Sequence, residues 1–198
     1  MPRPRALLRS LPFLFLALGG WGAAFSWDMG TYGGGSHFYA FEVTSDSSSS
    51  GSAVRLEFDV RQTGATYSVT TSMMTSSDGV TQDGVIDAFS GGDALGMLMF
   101  GPMMLFYGPG LFILPFALGG QDVTVTSDVY TVAGVGQVRM DRTENVAGLE
   151  CVVVTYEPTD DDDTGTIVFG LAEGMPFPCF STYGVEGERT SIRLVEYR

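Results

Sequence analysis

The residues that could carry chemistry are few, because the 198-residue chain has one histidine and no lysine. A single imidazole, His37, excludes a metal site with several histidine ligands. A Ser-His-Asp triad would need His37 as its base, and no nucleophile-elbow pattern accompanies it. Gly134 and Gly136 resemble the start of a dinucleotide loop, but the third glycine and the following helix are missing. The sequence therefore predicts no catalytic residue, no cofactor and a protein that is not an enzyme.

The acidic run Asp160–Asp163, followed by Thr164 and Gly165, is the strongest metal-binding candidate. Carboxylate oxygens in a flexible loop suit calcium. Leu171 stands at the twelfth position of this loop, where an EF-hand has a bidentate glutamate, and the flanking segments have the pattern of strands. We therefore predict a solvated loop without a tight metal site, and weak calcium binding stays open.

The first 25 residues have the layout of a secretory signal peptide. Arg3, Arg5 and Arg9 precede an apolar core, and small residues around Ala24 supply a cleavage site. An uncleaved anchor is the alternative, but the apolar core is short. We therefore predict an exported protein, periplasmic or extracellular, whose mature chain begins near Phe25 or Ser26.

The charge of the chain limits its partners. Ten basic residues, all arginine, face 23 acidic ones, which gives a net charge of −13. Removal of the first 25 residues takes away three arginines and no acid, so the mature charge is 7 − 23 = −16. Such a surface repels phosphate backbones and anionic lipid headgroups, so nucleic acid is excluded as a partner class.

Cys151 and Cys179 are the only cysteines in the sequence. Because export leads to an oxidising compartment, we predict a disulfide between them. The closed loop would stabilise the fold by roughly 3 to 4 kcal/mol in the chain-entropy model. Two buried free thiols are the alternative.

Short segments of alternating polarity run through the mature chain. The clearest is Ala53–Val60, where Val54, Leu56, Phe58 and Val60 alternate with charged residues, as in a half-buried strand. Further strands are predicted over residues 37–43, 66–74, 121–129, 135–143, 149–157, 165–173, 179–185 and 189–197. We predict a mainly β fold: a single curved antiparallel sheet or open barrel, forming one domain over residues 26–198.

An apolar segment over residues 94–120 interrupts this pattern, and no charge lies between Asp93 and Asp122. Pro102, Pro109 and Pro115 disfavour a transmembrane helix. The second interpretation is a plug, with a short helix over Ala94–Met99 and a turn at Gly101–Pro102, buried against the sheet. The third is a movable lid over a hydrophobic ligand. Its predicted ligand-binding residues are Met97, Met99, Phe100, Met103, Met104, Phe106, Phe112 and Phe116 of the segment, with Leu56 and Phe58 of the sheet.

This layout resembles the LolA/LolB-type periplasmic lipoprotein-carrier superfamily. The similarity lies in the exported start, the strand AVRLEFDVRQ, the central apolar segment, and the strands QVRMDRTENVAGLECVVVTYE and GTIVFGLAEGMPFP. The resemblance implies a curved antiparallel sheet around apolar helices, with a cavity for acyl chains. The predicted function is thus an exported carrier that shields a lipid or lipoprotein acyl chain. The alternative is a secreted assembly domain that docks a protein partner or a membrane through residues 94–120.

Overall fold

A computed structural model describes residues 24–29, 31–46, 53–75, 79–87, 91–107, 118, 122–132, 136–159, 165–185 and 187–198. These residues form one helix and ten strands. The helix, α1, spans Gly91–Tyr107. The strands are β1 (His37–Ser45), β2 (Val54–Thr63), β3 (Thr66–Met74), β4 (Gly79–Asp87), β5 (Val129–Val132), β6 (Gly136–Val146), β7 (Leu149–Pro158), β8 (Ile167–Leu171), β9 (Phe180–Tyr183) and β10 (Thr190–Tyr197).

All ten strands belong to one antiparallel sheet in the order β4-β3-β2-β1-β10-β9-β8-β7-β6-β5. The chain runs from β1 to one edge at β4, continues through α1, and returns from the other edge at β5 to β10. The sheet consists of two meanders that meet where β1 pairs with β10. Within the described residues β4 and β5 are free edges, so the sheet is open and does not close into a barrel.

The two faces of the first meander differ as the alternation predicts. Phe41, Leu56 and Phe58 are completely buried on the face that we call the inner face. The outer face carries ion pairs along β2, such as Arg55 with Glu57 and Arg61 with Asp59, each at 2.7 Å. A strand with one apolar and one charged face fits a sheet that is covered on one side and wet on the other.

The helix α1 is longer than the sequence indicates, because it continues through Pro102 instead of turning there. Proline in a helix removes one hydrogen bond and costs about 3 kcal/mol. Gly101 lacks the Cβ that would otherwise clash with the proline ring. Met99 before the proline and Met103 and Tyr107 after it are buried. Burial contributes roughly 1.5 to 3 kcal/mol for each side chain, which outweighs the loss.

Two strand assignments from the sequence need correction. Of the predicted strand over residues 121–129, only Val129 is in a strand among the described residues, as the start of β5, while Val123 makes an isolated bridge with Phe25. Strand β4 is not predicted at all, because its sequence GVTQDGVID has neither clear alternation nor an apolar run. Its hydrogen bonding to β3 forms it instead.

The segment just after the predicted cleavage site packs into the domain. The Phe25 amide donates to the Val123 carbonyl at 3.2 Å, and the Trp27 indole donates to the Met175 carbonyl at 3.0 Å. Residues 1–23 lie outside the described residues, so cleavage stays a prediction. A mature chain that begins at Phe25 keeps the bridge to Val123, whereas one that begins at Ser26 loses it.

Candidate ligand-binding groove

Helix α1 lies against the inner face of the sheet. Met99, Met103 and Tyr107 recur at intervals of four residues, so they lie on one side of the helix, and all three are fully buried. They join the same core as Phe41 and Leu56. This side of α1 is therefore part of the hydrophobic core.

Two tyrosine hydroxyls fix the last turn of α1. The Tyr107 hydroxyl donates to the Pro178 carbonyl at 2.5 Å, and the Tyr183 hydroxyl donates to the Phe106 carbonyl at 2.6 Å. The last carbonyls of a helix have no partner within the helix, so Tyr183 satisfies one that would otherwise lack a donor. Burial raises the pKa of Tyr107 well above its ordinary value, which keeps its hydroxyl a neutral donor.

A groove of about 320 Å³ opens beside this last turn. Apolar and hydroxyl side chains from the helix and from four strands or their ends line it: Val43, Thr44, Ser45, Val54, Leu105, Phe106, Tyr183 and Thr190. Leu105 is 73% exposed at the groove, although Met103 and Tyr107, two residues before and after it, are fully buried. The arrangement offers an apolar surface with a few hydroxyl groups, which is the usual composition of a small-molecule pocket.

The predicted ligand-binding residues separate into five groups. Met99, Met103, Leu56 and Phe58 are fully buried and belong to the core, while Phe106 lines the groove. Met104 is half-buried on α1, and Met97 and Phe100 lie on α1 with undescribed side chains. Phe112 and Phe116 lie outside the described residues.

The sequence reasoning did not single out Val43, Tyr183 or Thr190 as ligand-binding residues. Val43 could have been found, because the alternation that places Val54 and Leu56 on the inner face also applies to β1, where Val43 pairs with Val54. Tyr183 and Thr190 become part of the groove only because β10 lies beside β1 and β9 lies beside β10. No local pattern in the sequence indicates that adjacency.

His37 is held in an aromatic cluster rather than in a catalytic arrangement. Its ring stacks on Tyr197, with 5.4 Å between ring centroids. Nε2 lies 2.9 Å from the Gly34 carbonyl and Nδ1 lies 3.2 Å from the Tyr197 hydroxyl. A neutral ring protonated on Nε2 satisfies both contacts, so both nitrogens have structural partners.

Metal-ligating side chains are not clustered in the described ranges, where no group of three or more His, Cys, Asp or Glu residues could hold an ion. The acidic run Asp160–Asp163 lies outside the described residues, so its predicted lack of a tight metal site stays a prediction. Among the described helices, none is both long enough and apolar enough to span a bilayer.

Cys151 and Cys179 are buried free thiols, and the Cys151 thiol donates to the Leu149 carbonyl at 3.7 Å. The neighbouring Cys179 thiol lowers the pKa of Cys151, while Cys151 and burial raise the pKa of Cys179. Cys179 is also fixed by its backbone, since its amide donates to the Gly170 carbonyl at 2.6 Å and its carbonyl accepts from the Leu194 amide at 2.7 Å. The two thiols are near enough for each to shift the pKa of the other, and the disulfide between them stays a prediction.

No protein-family model matches the chain, and no curated protein matches it. Among solved structures it is similar to a chain of the Pseudomonas aeruginosa MucA/MucB complex, with 16% identity and a TM-score of 0.44. That match covers 82% of this chain and 51% of the other, so the chain spans about half the length of its match.

The chain is also similar to two further solved structures, which match it over a larger share of their own length. A putative outer membrane lipoprotein-sorting protein domain from Vibrio parahaemolyticus is 9% identical, with a TM-score of 0.26 and coverage of 83% of this chain and 85% of that one. A LolA superfamily protein from Nitrosomonas europaea is 9% identical, with a TM-score of 0.23 and coverage of 83% and 86%. The second of these structures belongs to the superfamily that the sequence resembles.

Proposed function

We propose that this protein is an exported, periplasmic carrier that shields a lipid or lipoprotein acyl chain in the groove beside the last turn of α1. The observation that carries the proposal is the exposure of Leu105 at a groove whose apolar lining also includes Val43, Val54 and Phe106. A hydrophobic ligand can contact an exposed apolar side chain in the wall of a preformed groove without any part of the protein unfolding.

The energetic reason is removal of apolar surface from water. Full burial of one large apolar side chain contributes roughly 1.5 to 3 kcal/mol. A chain lying in the groove would cover Leu105 and the exposed parts of Phe106 and Val54 together. The gain is several kcal/mol before the cost of immobilising the ligand, which suits reversible binding.

The size of the groove limits the ligand. Pockets that bury a drug-sized molecule measure about 300 to 1,000 Å³, and this groove of about 320 Å³ lies at the lower end. It therefore fits part of a single apolar chain rather than a whole lipid. The acidic exterior keeps the loaded protein soluble and away from anionic headgroups.

The test compares Leu105→Gln with Val125→Gln, a matched change at an exposed valine that does not line the groove. Binding is measured by displacement of a naphthalene-type fluorescent probe with a saturated fatty acid. Leu105→Gln should weaken binding roughly tenfold, since it removes one apolar contact of this size. Val125→Gln should bind as the parent protein does, and both variants should keep the circular dichroism spectrum of the parent.

Mass spectrometry of the purified protein, native and then extracted with organic solvent, gives a second readout. A carrier should release a molecule with an acyl chain. If the probe does not bind and the extract is empty, or if both glutamine variants bind equally well, the groove is not the ligand site.

The exposed Leu105 also favours a second function, in which an assembly domain docks a protein partner or a membrane through residues 94–120. This function predicts a lipid-free protein that forms oligomers or sediments with neutral vesicles. In that case the parent protein should not bind the probe, and Leu105→Gln should abolish sedimentation or oligomer formation.

A further inference from the structure

Strand β4 is an open edge of the sheet. Its nine residues pair with β3 from Gly79 opposite Met74 to Asp87 opposite Thr66, and within the described residues no strand pairs with its other side. Alternate amide and carbonyl groups along that side therefore have no ladder partner. Natural proteins usually protect such an edge with lysine, proline, a bulge or a short strand.

β4 is not short and has no lysine, proline or bulge, although helix α1 lies against part of it. Its sequence GVTQDGVID contains neither lysine nor proline, and its register with β3 is continuous. The opposite edge differs, because β5 has four residues and offers little to pair with. Of the two edges, β4 is therefore the one able to accept a further strand.

A second copy of the chain does not suit this edge. Asp83 is the central residue of β4, with four residues on either side. Antiparallel self-pairing in full register would place Asp83 opposite the same residue of the other copy, and like charges directly opposite each other are destabilising. The net charge of −13 adds long-range repulsion between copies.

The same aspartate favours a basic occupant. Asp83 is exposed on the outer face, where the Thr70 hydroxyl donates to its carboxylate at 2.6 Å. The remaining carboxylate capacity faces solvent beside the open edge, in reach of a lysine or arginine on an added strand. On the inner face Val80 is 62% exposed and Gly84 has no side chain, which leaves room for apolar residues.

We propose that the β4 edge binds an extended basic segment of a partner protein by strand addition. In this complex a lysine or arginine lies beside Asp83 on the outer face, and apolar side chains lie beside Val80 on the inner face. Backbone hydrogen bonds provide most of the affinity, and the alternation of side chains provides the specificity. The proposal is independent of ligand binding in the groove.

The experiment uses three synthetic nine-residue peptides that alternate valine with threonine. The first has a central lysine, the second has a central glutamate, and the third has the lysine together with N-methyl groups on alternate residues. Binding to the full chain is measured by fluorescence anisotropy, and amide chemical shifts locate the contact. Asp83→Lys is compared with Asp128→Lys, which changes the net charge equally at an exposed position away from β4.

The lysine peptide should bind and shift the amides of β4, while the N-methylated peptide should not bind because it cannot complete the ladder. The glutamate peptide should bind roughly two- to fivefold more weakly, the range of one cross-strand pair. Asp83→Lys should reverse the preference between these two peptides, and Asp128→Lys should not. The proposal is overturned if no peptide binds, if N-methylation has no effect, if both lysine variants behave alike, or if β4 instead mediates a dimer in ultracentrifugation.

Discussion

The Tyr107 hydroxyl connects the end of α1 to the loop before β9 through the Pro178 carbonyl. Both residues are buried, so no water replaces the hydroxyl if it is removed. Tyr107→Phe should lower the free energy of unfolding by about 1 to 3 kcal/mol, the cost of leaving a buried acceptor unpaired. Urea denaturation measures the change.

Tyr130→Phe is the matched control, because Tyr130 is half-buried and its hydroxyl has no hydrogen bond among those described. It should alter stability by no more than about 0.5 kcal/mol. Equal losses of unfolding free energy in the two variants would mean that the hydrogen bond of the Tyr107 hydroxyl contributes nothing to stability.

The cysteine pair gives a prediction that separates a bridge from two thiols. Export should oxidise Cys151 and Cys179 to a disulfide, since both belong to one core cluster and an exported protein enters an oxidising compartment. The exported protein, denatured without reductant, should then not react with a maleimide, and prior reduction should yield two labels. Cys179→Ser should cost roughly 3 to 4 kcal/mol of stability in urea. Two labels without reduction would establish buried free thiols instead.

At this scale the sequence predicts burial better than it predicts ligand contact. Met99 and Met103 belong to an apolar segment that has to be covered, and they are buried. Their assignment to a ligand site treats every methionine and phenylalanine of the segment alike. The helix periodicity that separates Met103 from Leu105 follows only when the helix is known to continue through Pro102.

At the scale of the element, α1 has one core side and one groove side, and a matched pair of substitutions tests this. Met103→Gln changes little in volume but buries an amide without partners, so it should destabilise the fold by about 1 to 3 kcal/mol. Leu105→Gln places the same amide in water and should change stability by no more than about 0.5 kcal/mol. Thermal and urea unfolding measure both. Equal destabilisation would show that Leu105 is covered in solution.

Most strands could be predicted because the alternation of polar and apolar residues that indicates each one lies within its own sequence. The strand at Thr66–Met74 is predicted to the residue, and the Ala147–Gly148 turn between β6 and β7 has the left-handed backbone that its glycine favours, with φ of 88° at Gly148. Strand β4 could not be predicted, since its pairing with β3 stabilises a sequence with little strand pattern. The order of the strands was equally out of reach, because pairing between β1 and β10 is not a local property.

For the whole molecule, the absence of lysine makes tyrosine the residue type that governs alkaline stability. Burial raises the pKa of Tyr32 to about 12, and burial also raises the pKa of Tyr39 and Tyr107. In the unfolded chain tyrosines ionise near pH 10, so there the unfolded state releases protons that the folded state keeps. The stabilisation is therefore complete below about pH 10 and is lost as the pH rises toward about 12.

Urea unfolding across that window should show a falling midpoint, together with the appearance of tyrosinate absorbance on unfolding. Tyr32→Phe should make the decline less steep. A midpoint that does not change between about pH 10 and about pH 12 would contradict the burial of these hydroxyls.

The pairing of β1 with β10 has a consequence for how the chain acquires its structure. These strands come from opposite ends of the described chain, yet their pairing is the seam that joins the two meanders. Contacts between residues so far apart in sequence form slowly, because a long loop has to close first. During synthesis β1 can pair with β2, but its other side has no partner until β10 emerges, so the complete sheet cannot assemble before β10 has been made. A delay of this kind leaves the polypeptide incompletely folded, which is the state that a translocation channel accepts.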